Sequence, residues 1–132
     1  MQISKREYDY LTVIKKYNDE NSGAKITRIA KEMGISPASV FEEIDHLVDK
    51  NLVRKERDGI WITDSGQREY DEWTKTHRVV ETFLVRLGFD EKSACDFSKK
   101  FDYAIPEEVM EKLYVYLGKP KTCPHGGEIN QE

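Results

Sequence analysis

The stretch ITRIAKEMGISPASVFEEIDHL, residues 26–47, holds two short apolar patterns on either side of a glycine. In the first pattern, Ile26, Ile29 and Met33 recur at the spacing of an α-helix. Gly34 follows at the point where a helix commonly ends with a residue in the left-handed conformation. The first half of this stretch therefore predicts a short helix that ends at the glycine.

A second helix is predicted directly after that glycine. Ser36 is a suitable N-cap, and Pro37 suits the first helical position because its missing N–H breaks no hydrogen bond there. The apolar face of this helix consists of Val40, Ile44 and Leu47. Two such helices joined by about three residues are typical of a helix-turn-helix, whose second helix enters the DNA major groove. The sequence therefore predicts a DNA-binding regulator.

The outward face of the second helix and the nearby basic residues are the expected DNA contacts. The candidates are Lys25, Arg28, Ser36, Pro37, Ala38, Ser39, Glu42, Glu43, His46, Arg54, Lys55 and Arg57. Glu42 and Glu43 are repelled by phosphates, although a carboxylate accepts a hydrogen bond from cytosine N4. The N-terminus of the helix, with Ser36 and Ser39, is therefore expected to anchor binding.

A β-hairpin is predicted after the second helix. The segment LVRKERDGIWIT, residues 52–63, alternates around Asp58-Gly59, a strong signal for a tight turn. Its expected strands are residues 52–54 and 60–62. A hairpin in this place is the wing of a winged helix-turn-helix, and its basic residues would lie near a tip that contacts phosphates or a minor groove.

Helices are also predicted on both sides of this region. Ser4 and Glu7 form a capping box for a first helix that reaches about Tyr17. A helix of about six turns, capped by Thr63 or Asp64, follows the hairpin and outgrows a winged-helix domain. It therefore predicts a second domain.

The rest of the chain predicts two shorter helices and a tail. Asp90 caps a helix through about Phe101, and Pro106 opens another helix that stops at Gly118. The tail has two prolines, two adjacent glycines and no periodicity, so an extended loop or a frayed end is expected over residues 119–132. The predicted fold is mainly α with a small β-wing.

The composition predicts a soluble globular protein, with 38% hydrophobic and 35% charged residues. No long apolar run or signal segment is present, so we expect a cytoplasmic protein without a membrane partner. The net charge is −4, and neither half of the chain is basic, so DNA binding requires positive charge to cluster on one surface. Cys95 and Cys123 are too few for a disulfide framework and are expected to be free thiols or metal ligands.

The order of these elements resembles the metal-dependent repressors of the diphtheria toxin repressor and manganese transport regulator family. The resemblance also includes THRVVETFLVRLGFDE at residues 76–91 and CPHGGEI at residues 123–129. It implies a winged helix-turn-helix domain at residues 1–64, a helical dimerisation and metal-binding domain at 65–118, and a tail at 119–132. It also implies a homodimer in which metal binding favours the arrangement that binds double-stranded DNA.

The resemblance implies two metal sites, of which one is altered. The positions of the regulatory site hold Asp9 or Thr12, then Lys99, Asp102 and Tyr103. A protonated lysine cannot ligate a metal and repels a cation, so this site is expected to be lost or rebuilt.

The second, ancillary site maps to His77, Glu81 and Cys95. The first two residues are four apart and share one helical face, as ligation requires. Cys123 and His125 could complete a tetrahedral set that suits zinc or another divalent transition metal. The alternatives are an ordinary helix-surface pair, a small buried cysteine and a plain loop.

The apolar residues after position 79 are too many for three short helices to bury, which predicts a dimer made by the second domain. They are Val79, Phe83, Leu87, Phe89, Val109, Leu113, Val115 and Leu117. Phe101 and Tyr103 are expected in the core.

Two other functions compete with the regulator. One is a metal-binding or redox-responsive protein-interaction module built on a winged-helix scaffold. The other is an enzyme, but the sequence has no nucleophile elbow, phosphate loop or HExxH motif. We therefore expect neither catalysis nor a small-molecule substrate.

Overall fold

The computed structural model describes residues 3–129 of the chain. The elements in chain order are α1 (Lys5–Asn18), α2 (Ile26–Met33), α3 (Pro37–Asp49), β1 (Val53–Glu56), β2 (Gly59–Ile62), α4 (Asp64–Leu87), α5 (Glu91–Ser98), a 3-10 turn (Asp102–Ala104) and α6 (Glu107–Tyr116). The chain divides into two compact units between Asp71 and Glu72, inside α4. None of these helices is long and apolar enough to cross a membrane.

The helix-turn-helix of unit 1 forms as predicted. Helix α2 ends at Gly34 with a φ of 68°, a left-handed conformation that glycine adopts without a steric penalty. The Ser36 hydroxyl accepts a hydrogen bond from the Ser39 N–H (3.1 Å) and caps α3. Val40 and Ile44 are buried in the core of the unit, so the opposite face of α3 remains outside. The fold class predicted from the sequence is confirmed.

Helix α1 supports both the helix-turn-helix and the wing. Its capping box between Ser4 and Glu7 is complete. At the other end the Asn18 side chain donates to the Ile60 carbonyl (3.1 Å) and accepts from the Ile62 N–H (2.8 Å). These two bonds attach the base of the wing to α1.

The wing turn differs by one residue from the predicted Asp58-Gly59. Glu56 pairs with Gly59 in the antiparallel register, so the two turn residues are Arg57 and Asp58. Gly59 belongs to β2, where a Cβ atom would lie 2.7 Å from the carbonyl carbon of Gly23. The glycine is therefore required by a close backbone approach, which no local pattern reveals.

Unit 2 contains most of α4, together with α5, the 3-10 turn, α6 and the segment after it. Its main core cluster consists of Val79, Met110, Tyr114, Leu117, Cys123 and Ile129. Helix α5 ends at Ser98 rather than near the predicted Phe101. The backbone tightens there, because the Phe101 N–H donates to the Ser98 carbonyl (3.1 Å) before the 3-10 turn begins.

The last described segment is a closed loop, whereas the sequence predicts an extended tail. Across residues 121–129 the Cys123 N–H donates to the Gly127 carbonyl (2.8 Å), and the Ile129 N–H donates to the Lys121 carbonyl (2.9 Å). Cys123 and Ile129 are buried. The loop is therefore held by its own hydrogen bonds and by two apolar anchors, while the predicted tail beyond residue 129 lies outside the described residues.

Gly66, in the first turn of α4, offers a test of this packing. A Cβ atom at this position would lie 2.1 Å from the Leu52 carbonyl oxygen. Gly66→Ala should lower the free energy of unfolding by about 1–3 kcal/mol, because backbone must shift. This is the reverse of the usual gain of roughly 1 kcal/mol for this change in a helix. Urea unfolding measures it, with exposed Arg68→Ala as the control. A more stable Gly66→Ala variant would contradict the packing.

Candidate metal centre and DNA-facing surface

The five predicted metal ligands lie together in unit 2, around one carboxylate. His77 and Glu81 are on α4 and Cys95 is on α5, and their ligand atoms lie within 4.8 Å of one another. Glu81 forms a second group of the same size with Cys123 and His125, from the loop after α6. Three separate segments therefore supply two groups of nitrogen, oxygen and sulfur donors that share Glu81.

The two oxygens of Glu81 face different partners. Oε1 lies 2.9 Å from His125 Nδ1, and Oε2 lies 3.5 Å from His77 Nε2. The Glu81 side chain is only 2% exposed. A buried carboxylate is costly unless opposite charge compensates it, and a cation bound by these donors would do so. The donor set fits a divalent metal ion.

The two thiols have different surroundings. Burial raises the pKa of Cys95, the positive charge of Lys99 opposes this shift, and the carboxylate of Glu81 adds to it. A metal ion that binds Cys95 must therefore displace a proton. The Cys123 sulfur accepts a hydrogen bond from the Gly127 N–H (3.2 Å) within the loop after α6.

The residues mapped to the regulatory site serve other contacts in each unit. In unit 1 Asp9 pairs with Lys5 (3.6 Å), and the Thr12 hydroxyl donates to the Tyr8 carbonyl (2.9 Å). In unit 2 Lys99 is the C-cap of α5. Within residues 3–129 Asp9 belongs to no group of three or more His, Cys, Asp or Glu side chains that could hold a metal ion.

Two further predictions for this region require correction. Phe101 and Tyr103 were expected in the core, but both are exposed. Tyr103 stacks against Trp73 with ring centroids 6.3 Å apart. The shorter α5 and the 3-10 turn explain this difference, because the helical register that would have turned these rings inward ends at Ser98. Asp102, from the same turn, is buried and bonded to His77 (2.8 Å), a contact that the sequence did not indicate.

The predicted DNA contacts of α3 are exposed with one exception. The exposed ones are Ser36, Pro37, Ala38, Ser39, Glu42 and His46. The Glu43 side chain is only 17% exposed and lies 3.5 Å from His46 Nδ1. Burial is the main cause that raises the pKa of Tyr10, and the negative charge of Glu43 adds to this shift. Glu43 therefore points toward the core side of the helix rather than outward, which leaves fewer carboxylates to repel phosphates.

The basic residues of this surface differ in their contacts. Lys25 and Arg28 are exposed at the start of α2. In the wing, Arg54 pairs with Glu56 (2.9 Å). Within residues 3–129 the exposed Arg57, at the turn, makes no ion pair. Arg57 is therefore the wing residue most available to a phosphate.

Phe41 belongs to the same surface and is not among the residues predicted to contact DNA. Its ring is 51% exposed on α3 and lies under Lys55 Nζ at 4.8 Å. Lys55 also binds Asp45 (2.5 Å), so its charge is engaged within unit 1. A large apolar residue at an outward helical position was the available signal.

Within its described residues, unit 2 exposes eight large apolar side chains. The exposed residues are Leu87, Phe89, Phe97, Phe101, Tyr103, Val109, Val115 and Tyr116. Phe89 and Phe97 form an edge-to-face pair with centroids 5.3 Å apart. An exposed apolar pair of this kind is a candidate contact with another protein.

A winged helix-turn-helix joined to a helical unit with clustered nitrogen, oxygen and sulfur donors defines a metal-responsive DNA-binding regulator. The chain belongs to the iron-dependent repressor family. Residues 2–59 match the family's N-terminal DNA-binding domain, and residues 63–131 match its metal-binding and dimerisation domain. The chain is thus a metal-responsive DNA-binding transcriptional regulator of the repressor type, and this confirms the function predicted from the sequence.

Similar proteins include a sequence relative and several solved structures. An uncharacterised HTH-type transcriptional regulator, MJ0568 of Methanocaldococcus jannaschii, is 33% identical over 86% of this chain and 93% of its own. The crystal structure of the hypothetical protein SSo2273 from Sulfolobus solfataricus is 56% identical, with a TM-score of 0.92, over 97% of this chain and 99% of that one.

Two longer regulators share the fold. The manganese regulator SloR is 27% identical with a TM-score of 0.80, and the match covers 98% of this chain and 61% of that protein. ScaR with bound Zn²⁺ is 30% identical with a TM-score of 0.83, over 93% of this chain and 58% of that one. This chain thus spans about three fifths of the length of these two regulators.

The contact between His125 and Glu81 gives a pH prediction for the metal-free protein. The hydrogen bond and the charge of Glu81 raise the pKa of His125 above 6.5. The ion pair is therefore complete at low pH and is lost as the pH rises through the raised pKa. An NMR titration should show this raised pKa, and Glu81→Gln should return it to about 6.5. Glu91→Gln, which removes a minor cause, should change it little. An unchanged pKa in Glu81→Gln would contradict the contact.

Proposed function

We propose that this chain is a homodimeric repressor that binds double-stranded DNA. We further propose that it holds a zinc ion, or a similar divalent transition-metal ion, at the Glu81 cluster, which consists of His77, Glu81, Cys95, Cys123 and His125. The observation that carries the proposal is the position of four potential ligands, from α4, α5 and the loop, around the buried carboxylate of Glu81. The ion would hold the loop against the two helices within unit 2. A DNA-binding regulator acts where the chromosome lies, so we also propose a cytoplasmic location.

The chemistry of the donors supports zinc over manganese or ferrous iron. His77, Glu81 and Cys95 offer nitrogen, oxygen and sulfur, and Cys123 and His125 add sulfur and nitrogen. Thiolates favour zinc, whereas manganese prefers oxygen ligands. Bound zinc would supply a positive charge that fixes these donors in one geometry. The lysine in the mapped regulatory set argues against a second, manganese-responsive site.

The metal proposal predicts which variants lose zinc. His77→Ala and Cys95→Ser should each weaken zinc binding more than about 100-fold, since even an outer partner of a ligand is typically worth 10–100-fold. Cys123→Ser and His125→Ala test the ligands from the loop. The measurements are zinc per chain after dialysis and thermal stability with and without zinc. His46→Ala, an exposed histidine of unit 1, is the control. Full zinc retention by His77→Ala and Cys95→Ser would exclude the site.

A homodimer through unit 2 is supported by its exposed apolar surface. Leu113 is partly buried against the core, so a charge there would disturb folding as well as assembly. Val115 is 58% exposed on the same helix and is the better probe. Val115→Asp should give a monomer at micromolar concentration by analytical ultracentrifugation, whereas Lys119→Asp should remain a dimer. A monomeric wild type would contradict the proposal.

The proposed DNA docking places α3 in the major groove and the wing on the flanking backbone. Arg57→Ala should weaken binding to specific and random duplexes by similar factors and should reduce the salt slope by about 1. Ser39→Ala should act mainly on the specific duplex, because Ser39 lies at the exposed N-terminus of α3. Fluorescence anisotropy on a selected palindrome and a scrambled duplex measures both effects.

Lys92→Ala, which removes a positive charge from unit 2, is the control for charge alone. If Ser39→Ala weakens binding to both duplexes equally, or if Arg57→Ala leaves binding to the random duplex unchanged, the docking is wrong.

A further inference from the structure

We infer that Asp102 is a positioning residue for the metal centre, which holds His77 with its Nε2 lone pair directed at Cys95 and Glu81. The inference rests on the proposed metal site. It assigns to Asp102 a role as hydrogen-bond acceptor in place of the role as metal ligand that the resemblance implied.

The first step is the location of the proton on His77. Two atoms face its Nδ1, namely Asp102 Oδ2 at 2.8 Å and Ser98 Oγ at 3.0 Å. The Ser98 hydroxyl donates its hydrogen to the Cys95 carbonyl (2.9 Å), so its oxygen is an acceptor toward the ring. An ionised carboxylate only accepts. Both neighbours of Nδ1 are therefore acceptors, and Nδ1 must carry the hydrogen.

The second step is the direction of the other nitrogen. With Nδ1 protonated, the neutral ring has its lone pair on Nε2. Nε2 lies 3.8 Å from the Cys95 sulfur and 3.5 Å from Glu81 Oε2. The hydrogen bond to Asp102 thus selects the tautomer that can ligate an ion shared with these two residues. A carboxylate on the far side of a ligating histidine also raises its basicity.

Asp102 itself is buried and, among the described residues, is not part of another metal site. Its side chain is only 4% exposed, and the 3-10 turn that it begins places it beside His77 Nδ1. Within residues 3–129 it belongs to no group of potential metal ligands. The neighbouring positions of the mapped regulatory set hold Lys99 and Tyr103, which offer no carboxylate. Asp102 therefore serves the surviving centre through His77.

The first experiment reads the tautomer of His77 in the metal-free protein, by long-range ¹H–¹⁵N NMR at pH 8. The wild type should show the Nδ1–H form. In Asp102→Ala only the neutral Ser98 oxygen remains as an acceptor, so the Nε2–H form, which donates to Glu81, should become dominant. Asp102→Asn keeps an acceptor oxygen and should retain the Nδ1–H form. An unchanged tautomer in Asp102→Ala would overturn the inference.

The second experiment measures metal binding by chelator competition and the absorption spectrum of the Co²⁺-loaded protein. Asp102→Ala should bind the same number of zinc ions as the wild type with affinity lower by about 10–100-fold. Its Co²⁺ spectrum should keep the thiolate charge-transfer band, and Asp102→Asn should recover most of the affinity. The control is Asp71→Ala, which removes an exposed carboxylate from the same helix as His77.

The outcomes separate this inference from the function on which it rests. If Asp102→Ala loses one zinc equivalent, or if Asp102→Asn is as weak as Asp102→Ala, Asp102 is a ligand and the inference fails. If the wild type binds no zinc, the proposed function fails, and the tautomer experiment alone then decides whether Asp102 sets the orientation of His77. Should Asp102→Ala not fold, Asp102→Asn and its spectrum carry the test.

Discussion

Unit 2 is organised by the burial of one carboxylate. Glu81 lies in the last third of α4 with almost no exposure, and two histidines and two cysteines from other turns and segments lie around it. An isolated charge in such a place would be strongly unfavourable, so the surrounding donors have to compensate it. His125 does so directly, through a contact of 2.9 Å. The other donors carry lone pairs that can bind a metal ion. A divalent cation would therefore balance the negative charge of Glu81 better than added protons would.

This constraint explains why the loop after α6 is closed rather than extended. Its backbone bonds place Cys123 and His125 on the Glu81 side, and the Arg78 guanidinium holds it from outside by donating to the Glu128 carbonyl. The same helix thus supplies the buried carboxylate and the anchor for the loop. A bound ion would add to an arrangement that the chain has already formed. Its binding free energy would therefore stabilise the position of the loop and would not be needed to form the fold.

The features that the sequence predicted well have local causes. The Ser4 and Ser36 caps and the left-handed Gly34 depend on residues within one helical turn, so their patterns are readable without a structure. The spacing of His77 and Glu81 belongs to the same category. The fold class and the family resemblance follow from such local signals taken in order.

The features that the sequence misplaced have distant causes. Gly59 is needed by its approach to Gly23, so the wing turn lies one residue earlier than the dipeptide pattern indicates. Glu43 is drawn inward although its helical position reads as outward. Asp102 reads as a metal ligand by resemblance, but a shorter α5 and a 3-10 turn bring it to the far side of His77. Each of these outcomes depends on a neighbour that is remote in sequence.

The most direct test of the account is the DNA affinity of the wild type and of Glu81→Gln, each measured by fluorescence anisotropy with zinc and with a chelator. Couplings between two binding sites are typically about 5–150-fold. Zinc should raise the DNA affinity of the wild type by a factor within this range. Glu81→Gln should bind DNA with the same affinity with and without zinc. Equal affinity of the zinc-loaded and chelated wild type, or a zinc response that persists in Glu81→Gln, would contradict the account.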